Sequence, residues 1–147
     1  MTPLHVARGA MLGAMLAAAA GTRADAAMPS ACSLLSLADV RAIVGAPVTV
    51  FHDQAPVMAR DGLEATNCLY MVSLRGGLSA SVWLGRGPAS HVNAAHEAFA
   101  TQKERHGVNG VRGNTLVIVN VATPSGTGVT YQDATSAKLL AAVLKKL

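Results

Sequence analysis

The chain has 147 residues, of which 51% are hydrophobic and 14% are charged, and its formal net charge is +4. This length suits one domain, and the sequence shows no internal repeat. Nucleic-acid binding usually requires a clustered basic face with aromatic platforms, but here the basic residues are scattered, and the aromatic residues are one tryptophan, two tyrosines and two phenylalanines. We therefore expect no nucleic-acid partner.

The first 26 residues have the three-part layout of a secretory signal peptide. Arg8 supplies the positive charge, residues 9–21 form a short apolar run, and the small residues Ala24 and Ala26 suit cleavage before Ala27. A retained membrane helix is the less favoured alternative, because the run is well short of the roughly 20 residues that a bilayer requires. The sequence thus predicts a signal peptide at 1–26 and one exported domain at 27–147, with no transmembrane segment after cleavage.

A lipoprotein signal is a second alternative, because the small residues Ser30 and Ala31 precede Cys32. However, Pro29 stands where an aliphatic residue is expected, and Cys32 lies well beyond the apolar run. We expect a periplasmic or secreted protein and consider a lipid anchor less favoured. The mature chain would carry ten basic and seven acidic side chains. We interpret this net charge of +3 as one that keeps the protein soluble.

The exported domain is predicted to begin with a short helix whose two ends are both marked. Ser36 and Asp39 have the spacing of a capping box, while Leu35 and Val40 have that of a hydrophobic staple. Gly45 can then end the helix, because glycine readily adopts positive φ.

Cys32 and Cys68 are the only two cysteines. Since the extracytoplasmic space is oxidising, they are candidates for a disulfide that would tie the entrance of this helix to a strand. Closing the loop between Cys32 and Cys68 would stabilise the fold by roughly 3.5 to 4 kcal/mol in the chain-entropy model.

Residues 48–52 are predicted to form a strand, and residues 53–65, which show no clear period, a surface loop. Two alternating runs then flank a glycine-rich turn at 75–77 and predict an antiparallel hairpin. In its first strand, Cys68, Tyr70 and Val72 share one face.

The second half predicts a helix at 89–106, at most a very short strand within 108–114, and a buried central strand at 115–122. Residues 123–128 are expected to form a flexible loop, and the last helix to begin near Thr130, with Asp133 completing a capping pair. This order predicts an α+β fold: an antiparallel sheet of about four to five strands, with an N-terminal short helix, a middle helix and a C-terminal helix packed mainly on one face.

The sequence contains no motif that we can assign to catalysis, a cofactor or a metal. His91 and His96 are five residues apart on the predicted middle helix, so their rings diverge instead of sharing a metal. The glycine-rich residues 107–113 precede a strand, whereas phosphate loops precede a helix, and Ser125 lacks the frame of a nucleophile elbow. We expect no catalytic residues, no cofactor and no metal site.

Trp83 lies on the strand face opposite the apolar stripe of the hairpin. It either packs under a helix or marks an interaction surface together with Met71 and Leu69, because exposed aromatic patches are usually functional.

Several of these features together resemble those of small bacterial exported proteins and lipoproteins of unknown function: Cys-Ser-Leu-Leu at 32–35, Gly45 at the helix end, Cys68 and Tyr70 on a strand, and Ala-Lys-Leu-Leu at 137–140. The resemblance covers most of the mature chain and implies a compact α+β domain, in some members similar to the PsbP-like fold. It implies no catalytic residues, and this chain differs from many members in lacking a well-formed lipobox.

We therefore expect an exported, non-catalytic binding or accessory domain, whose partner would be an envelope protein or a small ligand. One alternative is a small hydrolase or metal-dependent enzyme with a site assembled from distant residues, and another is an envelope-anchored interaction protein.

Overall fold

The computed structural model describes residues 26–71, 77–102 and 106–147. The helices are α1 (Ala31–Leu34), α2 (Leu37–Val44), α3 (Ala89–Thr101) and α4 (Asp133–Lys146). The strands are β1 (Thr49–Met58), β2 (Glu64–Met71), β3 (Ser79–Arg86), β4 (Val108–Arg112), β5 (Thr115–Ser125) and β6 (Gly128–Tyr131). The predicted signal peptide up to residue 25, Val72 and most of the turn at 75–77 lie outside the described residues.

The strands form one antiparallel sheet in the order β1-β2-β3-β5-β4, and β6 also pairs with β5. Ala122 of β5 pairs with Ser79 of β3 and with Tyr131 of β6, so β6 lies on the edge of β5 that β4 also uses. The predicted α+β class is confirmed. The sheet has six strands because a hairpin forms where we expected a flexible loop.

The predicted β2–β3 hairpin is confirmed by its register. Cys68 pairs with Val82 and Tyr70 with Ala80, and all four side chains are buried on the same face. The intervening residues are only partly buried, which is the alternation expected of a strand that packs differently on its two faces.

Three helices pack on that face and cover the main core. Their buried contributions are Ala31 of α1, Val40 of α2, and Leu139 and Val143 of α4. Opposite them lie the inward side chains of the central strands: Cys68, Tyr70, Ala80, Val82, Leu84, Val117, Val119 and Val121.

The remaining helix, α3, packs on the other face, against β4 and β5. It contributes Val92 to a smaller core that also contains Leu63 and Leu116. The expectation that helices pack mainly on one face therefore holds for α1, α2 and α4, and α3 creates a second, thinner layer.

The start of α2 has the local structure that the sequence predicts. The Asp39 amide donates to Ser36 Oγ at 3.1 Å and the Ser36 amide donates to Asp39 Oδ2 at 3.2 Å, which completes the capping box. Gly45 ends the helix with φ of 76°. Leu35 and Val40 are both buried in the main core.

Cys32 lies within α1, a separate four-residue helix that the sequence analysis did not anticipate. A disulfide joins Cys32 to Cys68 of β2, with the two Cα atoms 5.0 Å apart. The Ala31 amide donates to Thr66 Oγ1 at 3.1 Å, and this hydroxyl donates to the carbonyl of Gln54 in β1 at 2.6 Å. The disulfide and the Ala31–Thr66 hydrogen bond thus fasten α1 to β2, and the Thr66 hydroxyl links this point to β1.

β1 is an edge strand that is longer than predicted, because it continues from Thr49 through Met58 into the expected loop. Its register with β2 shifts between Val50 and His52 and again between Gln54 and Val57. Such bulges interrupt the outward row of backbone donors and acceptors, and they discourage pairing with another strand.

The expectation for the C-terminal segment was wrong in detail. Thr130 lies in β6, and α4 begins at Asp133 after Gln132, which makes no side-chain cap hydrogen bond. The β5–β6 pairing extends the sheet to Ser125 and Gly128, so the glycines of this segment form the turn of a hairpin.

Candidate functional site

A cleft lies between α3 and the sheet, beside the only tryptophan of the chain. Its volume is about 380 Å³. We call it the Trp83 cleft, and its lining residues are Asp61, Trp83, Ala95, Phe99, Leu116 and Ile118. A neighbouring cavity of about 350 Å³ shares Asp61 and Ala95 with it and adds His91, Ala94 and Ala98.

The walls of the Trp83 cleft follow from two sequence periods. Ala95 and Phe99 are four residues apart and therefore share the face of α3 that meets the sheet. Trp83 pairs directly with Ile118, so these two side chains stand on the same face of β3 and β5. The cleft is the space between this helix face and this cross-strand pair.

Trp83 is half-buried, and it packs against the smaller core of Leu63, Val92 and Leu116. Its indole ring lies over Gly85, where a Cβ atom would collide with Cη2 and would lie 2.8 Å from Cζ3. The absent side chain of Gly85 therefore leaves room for the ring. The structure thus places Trp83 in contact with the layer under α3 and also in the wall of an open cleft.

Asp61 and His91 are the polar residues beside these apolar walls. Asp61 Oδ1 accepts a hydrogen bond from the Leu63 amide at 3.1 Å, which orients the carboxylate. His91 lies close to Gly62, since a Cβ atom on that glycine would be 2.8 Å from Nδ1. The arrangement offers a ligand one acceptor group next to an apolar surface.

Leu69 and Met71, the other members of the predicted interaction surface, lie on the same sheet face as Trp83. Leu69 pairs with Ser81 and is therefore a diagonal neighbour of Trp83, whereas Met71 pairs with Ser79, one step further along β3. Both are partly buried. Neither lines the Trp83 cleft, so the structure joins Trp83 to α3 and β5 more closely than to these two residues.

The histidines are dispersed over the structure. His52 lies on β1, and His91 and His96 lie on α3. His106 stacks on Tyr131 with ring centroids 3.7 Å apart. Within the described residues, no group of three or more His, Cys, Asp or Glu side chains is placed to hold a metal ion.

Sequence reasoning identified Trp83 as unusual but missed Asp61 as its neighbour. Asp61 is in a turn that we predicted to be part of a surface loop, more than 20 residues before Trp83. Only the folded chain brings the two into one cleft. Ala95 and Phe99 lie on the helix that the sequence predicted at 89–106, and the structure shows that this apolar part of its surface lines the cleft.

No protein-family model, curated protein or solved structure matches this chain. In the part of the chain that the structure describes, no helix is both long enough and apolar enough to cross a membrane.

Proposed function

We propose that this chain is an exported, non-catalytic binding domain and that the Trp83 cleft holds a small apolar ligand. The cleft itself is the observation that carries this proposal. Ligand sites are typically concave, mostly apolar and about 300 to 1,000 Å³ in volume, with a few polar groups that orient the ligand. The Trp83 cleft, at about 380 Å³ with Asp61 in its wall, has these properties.

The polar groups restrict the chemistry of the ligand. Asp61 offers a carboxylate oxygen next to an apolar wall, so it favours a ligand with an N–H or O–H donor and disfavours an anion. An aromatic ligand can also stack on the indole ring of Trp83. The expected ligand is therefore a neutral or weakly cationic aromatic molecule with one donor group.

The proposed export is supported by the Cys32–Cys68 disulfide, since disulfides persist mainly in oxidising compartments. The predicted signal peptide at 1–26 supports it independently. These two features together support the proposed periplasmic or secreted location.

Because Trp83 is the only tryptophan, its fluorescence reports on binding in the cleft without a signal from other tryptophans. We suggest titrating the chain with N-phenyl-1-naphthylamine, a neutral aromatic amine with one donor, and recording energy transfer from Trp83. The proposal predicts saturable binding. It also predicts that Ala95→Met, which fills the cleft, weakens binding at least about tenfold, a change equivalent to 1.4 kcal/mol.

Ala100→Met is the matched control, because Ala100 is exposed on α3 and does not line the cleft. It should leave the affinity unchanged. Equal affinities of both variants for the probe, or a signal that rises without saturation, would show that the probe binds elsewhere and that the cleft is not the site.

A further inference from the structure

A second cleft lies at one end of the sheet, on the face opposite the Trp83 cleft. The end of β3, the β4–β5 turn, the end of α4 and the segment before α1 converge there around about 450 Å³. We call it the basic cleft and define it by Arg86, Arg112 and Lys146. An adjoining cavity shares Ala27, Arg86 and Asn114 with it, so the two form one continuous depression.

The sheet register places the two arginines in a single cross-strand row. Glu64 pairs with Arg86, Arg86 with Thr115, and Thr115 with Arg112, across β2, β3, β5 and β4. Directly paired residues share a face, and neighbouring strands lie 4.7–4.9 Å apart, so the arginine backbones are about 10 Å apart on either side of Thr115. Lys146 approaches the same cleft from the last residue of α4.

Each arginine is held on one side and has donors left over. Arg86 Nη2 lies 3.3 Å from Glu64 Oε2, the only ion pair among the residues that the structure describes. Arg112 Nη1 donates to the Leu144 carbonyl. A guanidinium group carries five N–H donors in a rigid fork, so these contacts orient both groups and leave donors for a ligand.

The charges of the basic cleft do not balance. The side chains that line it or its extension are three cations and one carboxylate, that of Glu64. Leu147 also lines the cleft, and with its α-carboxylate counted an excess of one positive charge remains. Lys146 alone would be explained by the negative end of the α4 dipole, but Arg86 and Arg112 come from strands. The floor is apolar, because Leu84 and Met28 are buried beneath the charged rim.

We propose that the basic cleft binds a small molecule that carries a phosphate or carboxylate group beside an apolar part. The oxyanion lies between Arg86, Arg112 and Lys146 and accepts charge-assisted hydrogen bonds from them, which are stronger than neutral ones. The apolar part covers Leu84 and Met28. This site is independent of the Trp83 cleft, which lies on the other face and favours a donor group over an anion.

The test uses phenyl phosphate as the anionic probe and phenyltrimethylammonium as its counterpart of opposite charge. Backbone amide shifts of Gly113 and Asn114, in the β4–β5 turn, report on binding by nuclear magnetic resonance. We expect saturable shifts with phenyl phosphate, tighter binding than that of inorganic phosphate, and no saturable shifts with the cation. Arg112→Gln and Lys146→Gln should each weaken phenyl phosphate about five- to tenfold.

Lys145→Gln is the matched control, because it removes the same charge one residue away and Lys145 does not line the basic cleft. It should change the affinity less than twofold. Arg112→Lys should recover part of the affinity that Arg112→Gln loses. Equal losses in the Lys145 and Lys146 variants would indicate diffuse attraction and overturn the proposal, as would the absence of saturable shifts at millimolar phenyl phosphate.

Vesicles distinguish a soluble ligand from a lipid headgroup. If the ligand is a soluble small molecule, Lys146 makes no contribution to vesicle binding. Lys146→Gln should then leave any preference for phosphatidylglycerol over phosphatidylcholine vesicles unchanged. Binding to phosphatidylglycerol without binding to phenyl phosphate would overturn the assignment to a small molecule. Lys146→Gln should also leave N-phenyl-1-naphthylamine binding unchanged, so failure of this site is distinguishable from failure of the Trp83 cleft.

Discussion

Cys32 and Cys68 differ in their surroundings, although one bond joins them. Cys68 is fully buried in the main core, whereas Cys32 is partly exposed. We expect Cys32→Ser to lower the free energy of unfolding by about 2 to 5 kcal/mol through loss of the cross-link. Cys68→Ser should cost about 1 kcal/mol more, because it also leaves a buried hydroxyl group in an apolar core.

Urea denaturation of the two single variants and the double variant measures these losses in the free energy of unfolding. Since one bond is lost in all three, the double variant should be no less stable than Cys68→Ser. Clearly additive losses, or free thiols in the native protein, would show that the two cysteines act separately.

Thr66 joins α1 to two strands through one hydroxyl group, and it is fully buried. Replacing it with valine keeps the shape but removes the hydrogen bonds that Thr66 makes with the Ala31 amide and the Gln54 carbonyl. We expect Thr66→Val to lower the free energy of unfolding by about 1 to 3 kcal/mol. Thr49→Val is the control, because Thr49 is exposed and its hydroxyl contact to Met71 is long, at 3.4 Å. A loss at Thr66 no larger than that at Thr49 would contradict this role.

Gly85 leaves space for the Trp83 ring, so Gly85→Ala should force the ring to move. We expect a loss of about 1 to 3 kcal/mol, which is typical of overpacking, with a shift in the emission maximum of Trp83 and weaker binding of N-phenyl-1-naphthylamine. Gly128→Ala is the control, because a Cβ atom there meets nothing within 4 Å. An unchanged emission spectrum in Gly85→Ala would mean that the ring does not depend on this glycine.

The capping box of α2 makes a pH-dependent contribution to stability. The Ser36 hydroxyl, and after it the Ser36 amide, donate hydrogen bonds to Asp39 and lower the pKa of its carboxyl group below the ordinary 3.8. A group whose pKa is lower in the folded chain stabilises the fold above its unfolded pKa, and that stabilisation disappears as the pH falls through the folded pKa. Asp39→Asn should therefore lower the unfolding temperature at neutral pH, and this difference should shrink below 3.8.

Calorimetry across this pH range provides the measurement. In a Ser36→Ala background, which lacks the hydroxyl donor, Asp39→Asn should have a smaller effect than in the parent chain. A difference between parent and Asp39→Asn that stays constant as the pH falls would rule out the carboxylate as its cause.

Elements with local signals were predictable from the sequence. The Ser36–Asp39 cap, Gly45 and the alternation around Cys68 and Tyr70 each depend on residues within a few positions of one another. β6 was missed because three of its four residues are exposed and the strand gains its order by pairing with β5. The extension of β1 was missed because its bulges interrupt the period of two that identifies a strand.

The two clefts were less predictable than the elements around them. Trp83 could be singled out because it breaks the polar pattern of one strand face. The row of Glu64, Arg86, Thr115 and Arg112 depends on three strand registers, which the sequence does not specify. The basic residues are therefore scattered along the sequence, although three of them converge in the fold.

Export and the basic cleft are connected through Ala27. This residue is exposed and lines both cavities of the depression, and it is also the predicted first residue after signal cleavage. Cleavage there would place an α-ammonium group in the depression that Arg86 also lines, and its ordinary pKa of about 7.7 to 8.0 keeps it largely charged at neutral pH. We expect the exported protein to have the intact mass of a chain that begins at Ala27.

Acetylation of this amine isolates its contribution. Removing the charge should weaken phenyl phosphate about two- to fivefold, because one nearby cation is lost, and should leave N-phenyl-1-naphthylamine binding unchanged. Recovery of the chain from a membrane fraction with Met1 retained would show that the predicted cleavage is wrong. Cleavage at Ala27 without any effect of acetylation on phenyl phosphate would show instead that the new terminus lies too far from the oxyanion to contribute.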